Sequence, residues 1–128
     1  MAAGSSLPIL VVDDHRTMLA IIAKQLRDIG FPEVDTVGDP ITALTMLRRR
    51  RYRLILSDWN MTPMDGLAFL RAVRSDPDYA AIPFVLITAE SRPEAVAEAG
   101  RLGVDGFILK PFDSASLKAR LTGLLGRV

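Results

Sequence analysis

Four apolar runs in this chain each end in a polar side chain that could do chemistry. Asp13 and Asp14 follow Leu7–Val12, and Asp58 follows Leu54–Ser57. Thr88 closes Phe84–Ile87, and Lys110 closes Gly106–Leu109. Short apolar runs bounded by turn signals read as strands buried on both faces. If such strands are parallel, their polar ends share the carboxyl edge of one sheet, where open α/β sheets place their sites. Three carboxylates in one cleft repel one another and do not all stay ionised without a cation among them. All-oxygen donors select a hard ion, and a few carboxylates with water suit Mg²⁺. Lys110 is a point charge for an incoming phosphate, and the Thr88 hydroxyl can donate to a phosphate oxygen. Asp58 is the candidate nucleophile. A carboxylate can form an aspartyl phosphate, and Mg²⁺ would neutralise charge during an in-line transfer.

Each residue also has a plainer reading when taken alone. Asp58 is then a strand-end cap, Asp13 or Asp14 the N-cap of a following helix, Thr88 a buried strand residue and Lys110 a solvated lysine before a turn. The convergence of all of them on one edge favours the chemistry.

The spacing between the runs supplies the elements that hold these residues. Met18, Leu19, Ile22, Leu26 and Ile29 fall at helical spacing, and Gly30 stops that helix. Val34–Val37 is a short second strand. Asp39-Pro40 starts a helix with an N-cap and Pro at its first turn, and Ile41, Leu44 and Leu47 are predicted to face inward. Asp65-Gly66 opens a third helix carrying Leu67, Leu70 and Val73, which Ser75-Asp76-Pro77-Asp78 breaks. Ser91-Arg92-Pro93-Glu94 starts a fourth helix ending near Gly103. The fifth strand is Gly106–Lys110, closed by Pro111, and a fifth helix begins at Asp113 or Ser114. Five strands alternating with five helices over short connections predict a parallel sheet covered by helices on both sides.

Composition narrows the function classes. Sixteen Lys and Arg against fifteen Asp and Glu give a net charge of +1, so no global field favours nucleic acid or a membrane. With no cysteine, disulfides, thiol catalysis and thiolate metal sites are excluded. The single histidine, His15, builds no multi-histidine site and reads as a surface residue at a helix start rather than a ligand. Residues 1–6 lack a signal-peptide pattern and are expected to be loosely ordered, with one domain over 7–128 and a cytoplasmic location.

Val11-Val12-Asp13-Asp14, Ser57-Asp58-Trp59-Asn60-Met61, Met64-Asp65-Gly66, Thr88-Ala89-Glu90 and Lys110-Pro111-Phe112 occur in this order across the chain. In them it resembles the receiver domain of bacterial two-component response regulators, of the single-domain, CheY-like chemotaxis type. The resemblance implies a flavodoxin-like, doubly wound α/β fold with strand order 2-1-3-4-5. It implies that Asp58 takes phosphate from the phosphohistidine of a sensor histidine kinase. Asp14, Asp58 and the backbone carbonyl of Asn60 would ligate Mg²⁺, with Asp13 helping through water. Lys110 would contact the phosphoryl group, and the bond between Lys110 and Pro111 would be cis. Thr88 would swing toward the phosphate, with Phe107 turning inward behind it. Asn60 and Glu90 would tune dephosphorylation, here toward a short-lived phosphoprotein.

The same resemblance implies a monomer whose fourth helix, fifth strand and fifth helix bind a downstream protein. Ser91, Val96, Phe107 and Arg120 are the candidate contacts, and a phosphatase is a further expected partner. No DNA binding or membrane insertion is implied, and no enzymatic activity beyond the chain's own phosphorylation and dephosphorylation. A phosphate sink without an output partner is the alternative reading, and an aspartate-nucleophile phosphatase a remote one. Two positions depart from the family pattern. Thr62 stands where Pro is usual, with Pro63 one residue later, so the loop beyond Asn60 is expected to take its own path. Phe107 lacks the hydroxyl of the tyrosine that close relatives often carry. Trp59 is expected to be partly exposed beside the site. The Arg48–Arg51 run reads as a solvated helix end, with an anion-, cyclic-dinucleotide- or partner-binding patch as the alternative.

Overall fold

The computed structural model describes residues 7–89 and 92–125. The loosely ordered N-terminus expected over residues 1–6 therefore lies outside the described residues, as do Glu90 and Ser91. The elements are β1 (Ile9–Val12), α1 (Arg16–Ile29), β2 (Val34–Val37), α2 (Pro40–Arg49), β3 (Leu54–Asp58), α3 (Gly66–Ser75), β4 (Phe84–Thr88), α4 (Pro93–Arg101), β5 (Gly106–Leu109) and α5 (Ser114–Leu125). All strand pairs are parallel, in the order β2-β1-β3-β4-β5. This is the flavodoxin-like, doubly wound α/β fold expected from the sequence.

The central strands β1, β3 and β4 are buried throughout because both faces of the sheet are covered there, while edge strand β2, Val-Asp-Thr-Val, is buried only at its two valines. Side chains alternate across the pleat. Ile9, Val11, Leu54, Leu56, Val85 and Ile87 pack with Ile22 and Leu26 of α1 and Leu117 and Leu121 of α5. Leu10, Val12, Ile55, Phe84 and Leu86 pack with Leu47 of α2, Phe69, Leu70 and Val73 of α3 and Ala99 of α4. A one-residue slip in any strand would exchange the two sets, so the two cores fix the register.

Local signals set the helix ends. Asp39 and Asp65 accept hydrogen bonds from the N–H groups of Thr42 (2.7 Å) and Ala68 (2.9 Å), capping α2 and α3. Gly30, at φ +123°, ends α1, a conformation that other residues rarely adopt. Three expectations need correction. β1 begins at Ile9 rather than Leu7, because Val34, the first residue of β2, pairs with Ile9. β5 ends at Leu109, leaving Lys110 just beyond the strand. In α2 the buried positions are Pro40, Ala43 and Leu47, while Ile41 is 48% exposed. Ile41 lies about 100° around the helix from Pro40, which turns it off the core stripe.

The arginine run is not one surface. α2 stops at Arg49, and Arg50 adopts extended backbone. Its guanidinium reaches back to Asp35 (2.8 Å) and Glu33 on the edge strand side, and lies 5.7 Å over the Tyr52 ring. The buried Tyr52 hydroxyl donates to the same Asp35 at 2.5 Å. Arg48, Arg49 and Arg51 are exposed. On the far side of the molecule Arg74 bonds the Ile82 carbonyl, the Gly103 carbonyl and Asp105, whose carboxylate also accepts from the Phe84 N–H. This network ties the start of β4 to the loop leading into β5.

Burial, with the hydrogen bond to Asp35 as the next cause, pushes the Tyr52 phenol up to about 12. An unfolded tyrosine ionises near 10. Between about 10 and about 12 the native state therefore holds the extra proton, and stability falls as pH rises through that window. In an alkaline absorbance titration, the Tyr52→Phe variant is expected to lack an ionisation near pH 12 that the parent shows. A parent protein with no tyrosine titrating above the ordinary range would contradict this assignment.

Candidate functional site

Parallel pairing places the polar strand ends at one edge, and the stagger sets their mutual positions. Val12 pairs with Ser57, so Asp13 follows at the level of Asp58. Asp58 pairs with Ile87, which puts Thr88 one residue further along the edge. Thr88 pairs with Leu109, and Lys110 comes next. The backbone ladder runs past the strands into the site: the N–H groups of Asp13, Trp59 and Lys110 donate to Val37, Ile87 and Thr88 carbonyls. The side chains therefore project from backbone already fixed on the neighbouring strand.

Asp58 is only 3% exposed, and Lys110 Nζ donates to its Oδ1 at 2.8 Å. Asp13 is fully buried. Its Oδ1 accepts from the His15 backbone N–H at 2.9 Å and lies 3.2 Å from His15 Nδ1, while Oδ2 has no hydrogen-bond partner among the described residues. Burial raises the Asp13 carboxyl above the usual carboxylate range; the His15 N–H opposes this, and the neighbouring Asp58 charge adds to it. Ligand atoms of Asp13, Asp14, His15 and Asp58 all lie within 4.8 Å of one another. A buried carboxylate oxygen without a partner is costly unless a charge meets it. The clustered carboxylates of Asp13, Asp14 and Asp58 form a donor set that fits a hard divalent cation.

Thr88 is buried at the strand end, and Asn60 is exposed in the loop after β3. The peptide bonds Lys110–Pro111 and Thr62–Pro63 are both cis. Trp59 departs from expectation: it is 7% exposed. The pleat of β3 continues through it, so it shares the face of Ile55 and joins the core there. Its ring stacks on Phe107, with centroids 6.2 Å apart and planes at 22°. Phe107 is thus half-buried against the indole rather than a free surface contact. Val96 is half-buried and Arg120 exposed, while Glu90 and Ser91 fall outside the described residues.

The residues that hold the Asp58 loop were not singled out from the sequence as site residues. Ser57 Oγ donates to the Asp58 carbonyl at 3.0 Å, and the Gly66 N–H donates to the Trp59 carbonyl at 2.7 Å. A Cβ at Gly66 would stand 2.6 Å from the Asp58 carbonyl oxygen and 2.9 Å from Trp59 Cα. Asp65-Gly66 was legible as a helix start, but a glycine needed for close approach looks locally like any N-terminal glycine.

The family model of the response regulator receiver domain matches residues 9–122. The chain belongs to that family. Within it, the chain is similar to the chemotaxis protein CheY-3 of Vibrio cholerae, with 39% identity over 125 residues covering 98% of this chain and 96% of the relative. Its fold matches the crystal structure of Vibrio cholerae CheY4 at a TM-score of 0.88 and 33% identity, over 93% of this chain and 98% of that one. The receiver domain of a Pseudomonas aeruginosa sensor histidine kinase, which holds a magnesium ion in its active-site cleft, matches at a TM-score of 0.84 and 28% identity, over 94% and 98% of the two chains.

Gly66→Ala sets a methyl group against backbone that cannot step aside. It is expected to lower stability by about 1–3 kcal/mol in urea unfolding, as overpacking does, and to disturb the Trp59 near-UV signal. Wild-type stability and an unchanged indole signal in this variant would show that the close approach is not required.

Proposed function

We propose that the chain is a receiver that takes a phosphoryl group from a sensor histidine kinase onto Asp58. The observation that carries this reading is the buried Asp58 carboxylate, paired with Lys110 and clustered with the carboxylates of Asp13 and Asp14. Asp14, Asp58 and the Asn60 carbonyl would hold Mg²⁺, with Asp13 completing the site. When bound, Mg²⁺ supplies positive charge that offsets the charge of the phosphoryl oxygens.

An Asp58 oxygen attacks the phosphorus of the donor phosphohistidine. An O–P bond forms as the N–P bond breaks, and the imidazole leaves with a proton from solvent. Lys110, which pairs with Asp58 at rest, moves its charge to a phosphoryl oxygen. The Thr88 hydroxyl donates to another. Water attacking phosphorus later releases inorganic phosphate and restores Asp58. Asn60 stands exposed beside that approach, and with Glu90 it sets the lifetime of the acyl phosphate.

Two further features support a protein donor and a protein reader. An apolar recess lined by Met18, Ile21, Pro111 and Phe112 opens next to Lys110, and Ile21 is 43% exposed. Phe107 connects the site to the surface of α4, β5 and α5 through its stacking on Trp59, the residue after Asp58. A shift of Thr88 toward the phosphate opens room for Phe107 to turn inward, and α4, β5 and α5 present the change to a downstream partner in a chemotaxis-like pathway. Among the described residues no helix is long and apolar enough to cross a membrane.

Incubation with acetyl phosphate and Mg²⁺ is expected to raise the intact mass by one phosphate, and Asp58→Asn to abolish the increase. Labelling of Asp58→Asn to the parent level would exclude Asp58 as the acceptor. The phosphate is expected to be short-lived; survival for hours in purified protein with Mg²⁺ would contradict the roles given to Asn60 and Glu90. Comparing proteins captured by the phosphorylated and unphosphorylated forms separates a reader-coupled regulator from a phosphate sink.

A further inference from the structure

His15 does more than start a helix. Its backbone is held at both ends: the N–H donates to Asp13 Oδ1 at 2.9 Å, and the carbonyl accepts from the Leu19 N–H at 3.0 Å. The ring nitrogen Nδ1 is thereby brought 3.2 Å from Asp13 Oδ1 and, equally, 3.2 Å from Asp14 Oδ1. One ring N–H can be directed well at only one of these oxygens. The imidazole belongs to the same cluster as Asp58, with all four ligand atoms inside 4.8 Å. Ligands on one Zn²⁺ lie about 2.0–2.2 Å from it, hence at most about 4.4 Å from each other, so only a small closure would bring these onto one ion. Independently, Asp13 is fully buried and its Oδ2 has no partner among the described residues, so the carboxylate carries a burial cost that a cation on it would offset.

We infer that His15 is a ligand of the divalent cation held by Asp13, Asp14 and Asp58, and that its imidazole shifts the site's preference from Mg²⁺ toward Zn²⁺. The inference rests on the cation site proposed above and adds a nitrogen donor to it. Carboxylates alone suit Mg²⁺, Ca²⁺ and Mn²⁺, whereas imidazole suits Zn²⁺, Cu²⁺ and Ni²⁺. Three carboxylates and one imidazole would suffice for the four ligands that Zn²⁺ commonly takes, without the Asn60 carbonyl assigned to Mg²⁺. Zn²⁺ then competes for the carboxylates that the phosphoryl chemistry uses, so its availability would set how much of the protein can be phosphorylated with Mg²⁺.

The chain has one histidine, so imidazole nitrogen NMR of the whole protein reads His15 alone. Titration of ¹⁵N-labelled protein with ZnCl₂ is expected to move the Nδ1 resonance to a metal-bound position, and the same titration with MgCl₂ to leave it nearly unmoved. Calorimetry of His15→Phe and His15→Asn is expected to show Zn²⁺ affinity lowered by at least roughly tenfold, the scale of losing a supporting group at a metal site, with Mg²⁺ affinity close to the parent's. The ring is 69% exposed, so neither variant disturbs the core. Zn²⁺ and Mg²⁺ both binding with Nδ1 unmoved, and with their affinity ratio the same in the variants, would overturn the role of His15 while leaving the acidic cation site standing. Failure of the parent to bind either ion would overturn the cation site itself.

Discussion

Burying two carboxylates side by side is the constraint that the rest of the site answers. Asp13 and Asp58 sit at the ends of neighbouring strands with almost no exposure. Burial pushes the Asp13 carboxyl up, opposed by the His15 N–H and reinforced by the neighbouring Asp58 charge. Lys110 answers for Asp58, reaching across from the far side of β4 at 2.8 Å. For Asp13 the protein offers only one oxygen's worth of partners, from the backbone and ring of His15. The second Asp13 oxygen has no hydrogen-bond partner among the described residues. A buried carboxylate oxygen without a partner leaves this edge of the sheet out of electrostatic balance.

That imbalance is tolerable because the backbone around it is rigid. Asp58 and Thr88 end strands, and Lys110 follows one, that are locked into two packed cores, and the ladder continues past the strand ends. Gly66 and Ser57 clamp the loop immediately after Asp58. Trp59, packed into the core just after Asp58 and stacked on Phe107, links the loop after β3 to β5. The path from Asp58 to the edge strand is therefore short: Asp58, the next residue along, and one aromatic ring on β5.

The same logic separates structural charge from functional charge. Arg50 and Arg74 each bind two acceptors or more and join segments distant in sequence. They hold the opposite end of the sheet together. Arg48, Arg49 and Arg51, by contrast, stand exposed around the end of α2. Four arginines that look alike in sequence thus divide into one structural residue and three solvated ones.

The sequence by itself determined the element order, the sheet's two-sided burial and the set of Asp13, Asp14, Asp58, Thr88 and Lys110. These follow from local signals: apolar runs, Gly30 after a helix, Asp39 and Asp65 as caps, and polar residues at the ends of runs. Only the tertiary structure decided which acid of the pair is buried, that Trp59 turns inward, that Ile41 turns outward, and that Arg50 finds Glu33 and Asp35. Only it showed His15 against both acids and Gly66 against Asp58. Each of these depends on which neighbours arrive from elsewhere in the chain, and the energy of burial or pairing is set by those neighbours rather than by the residue or its spacing.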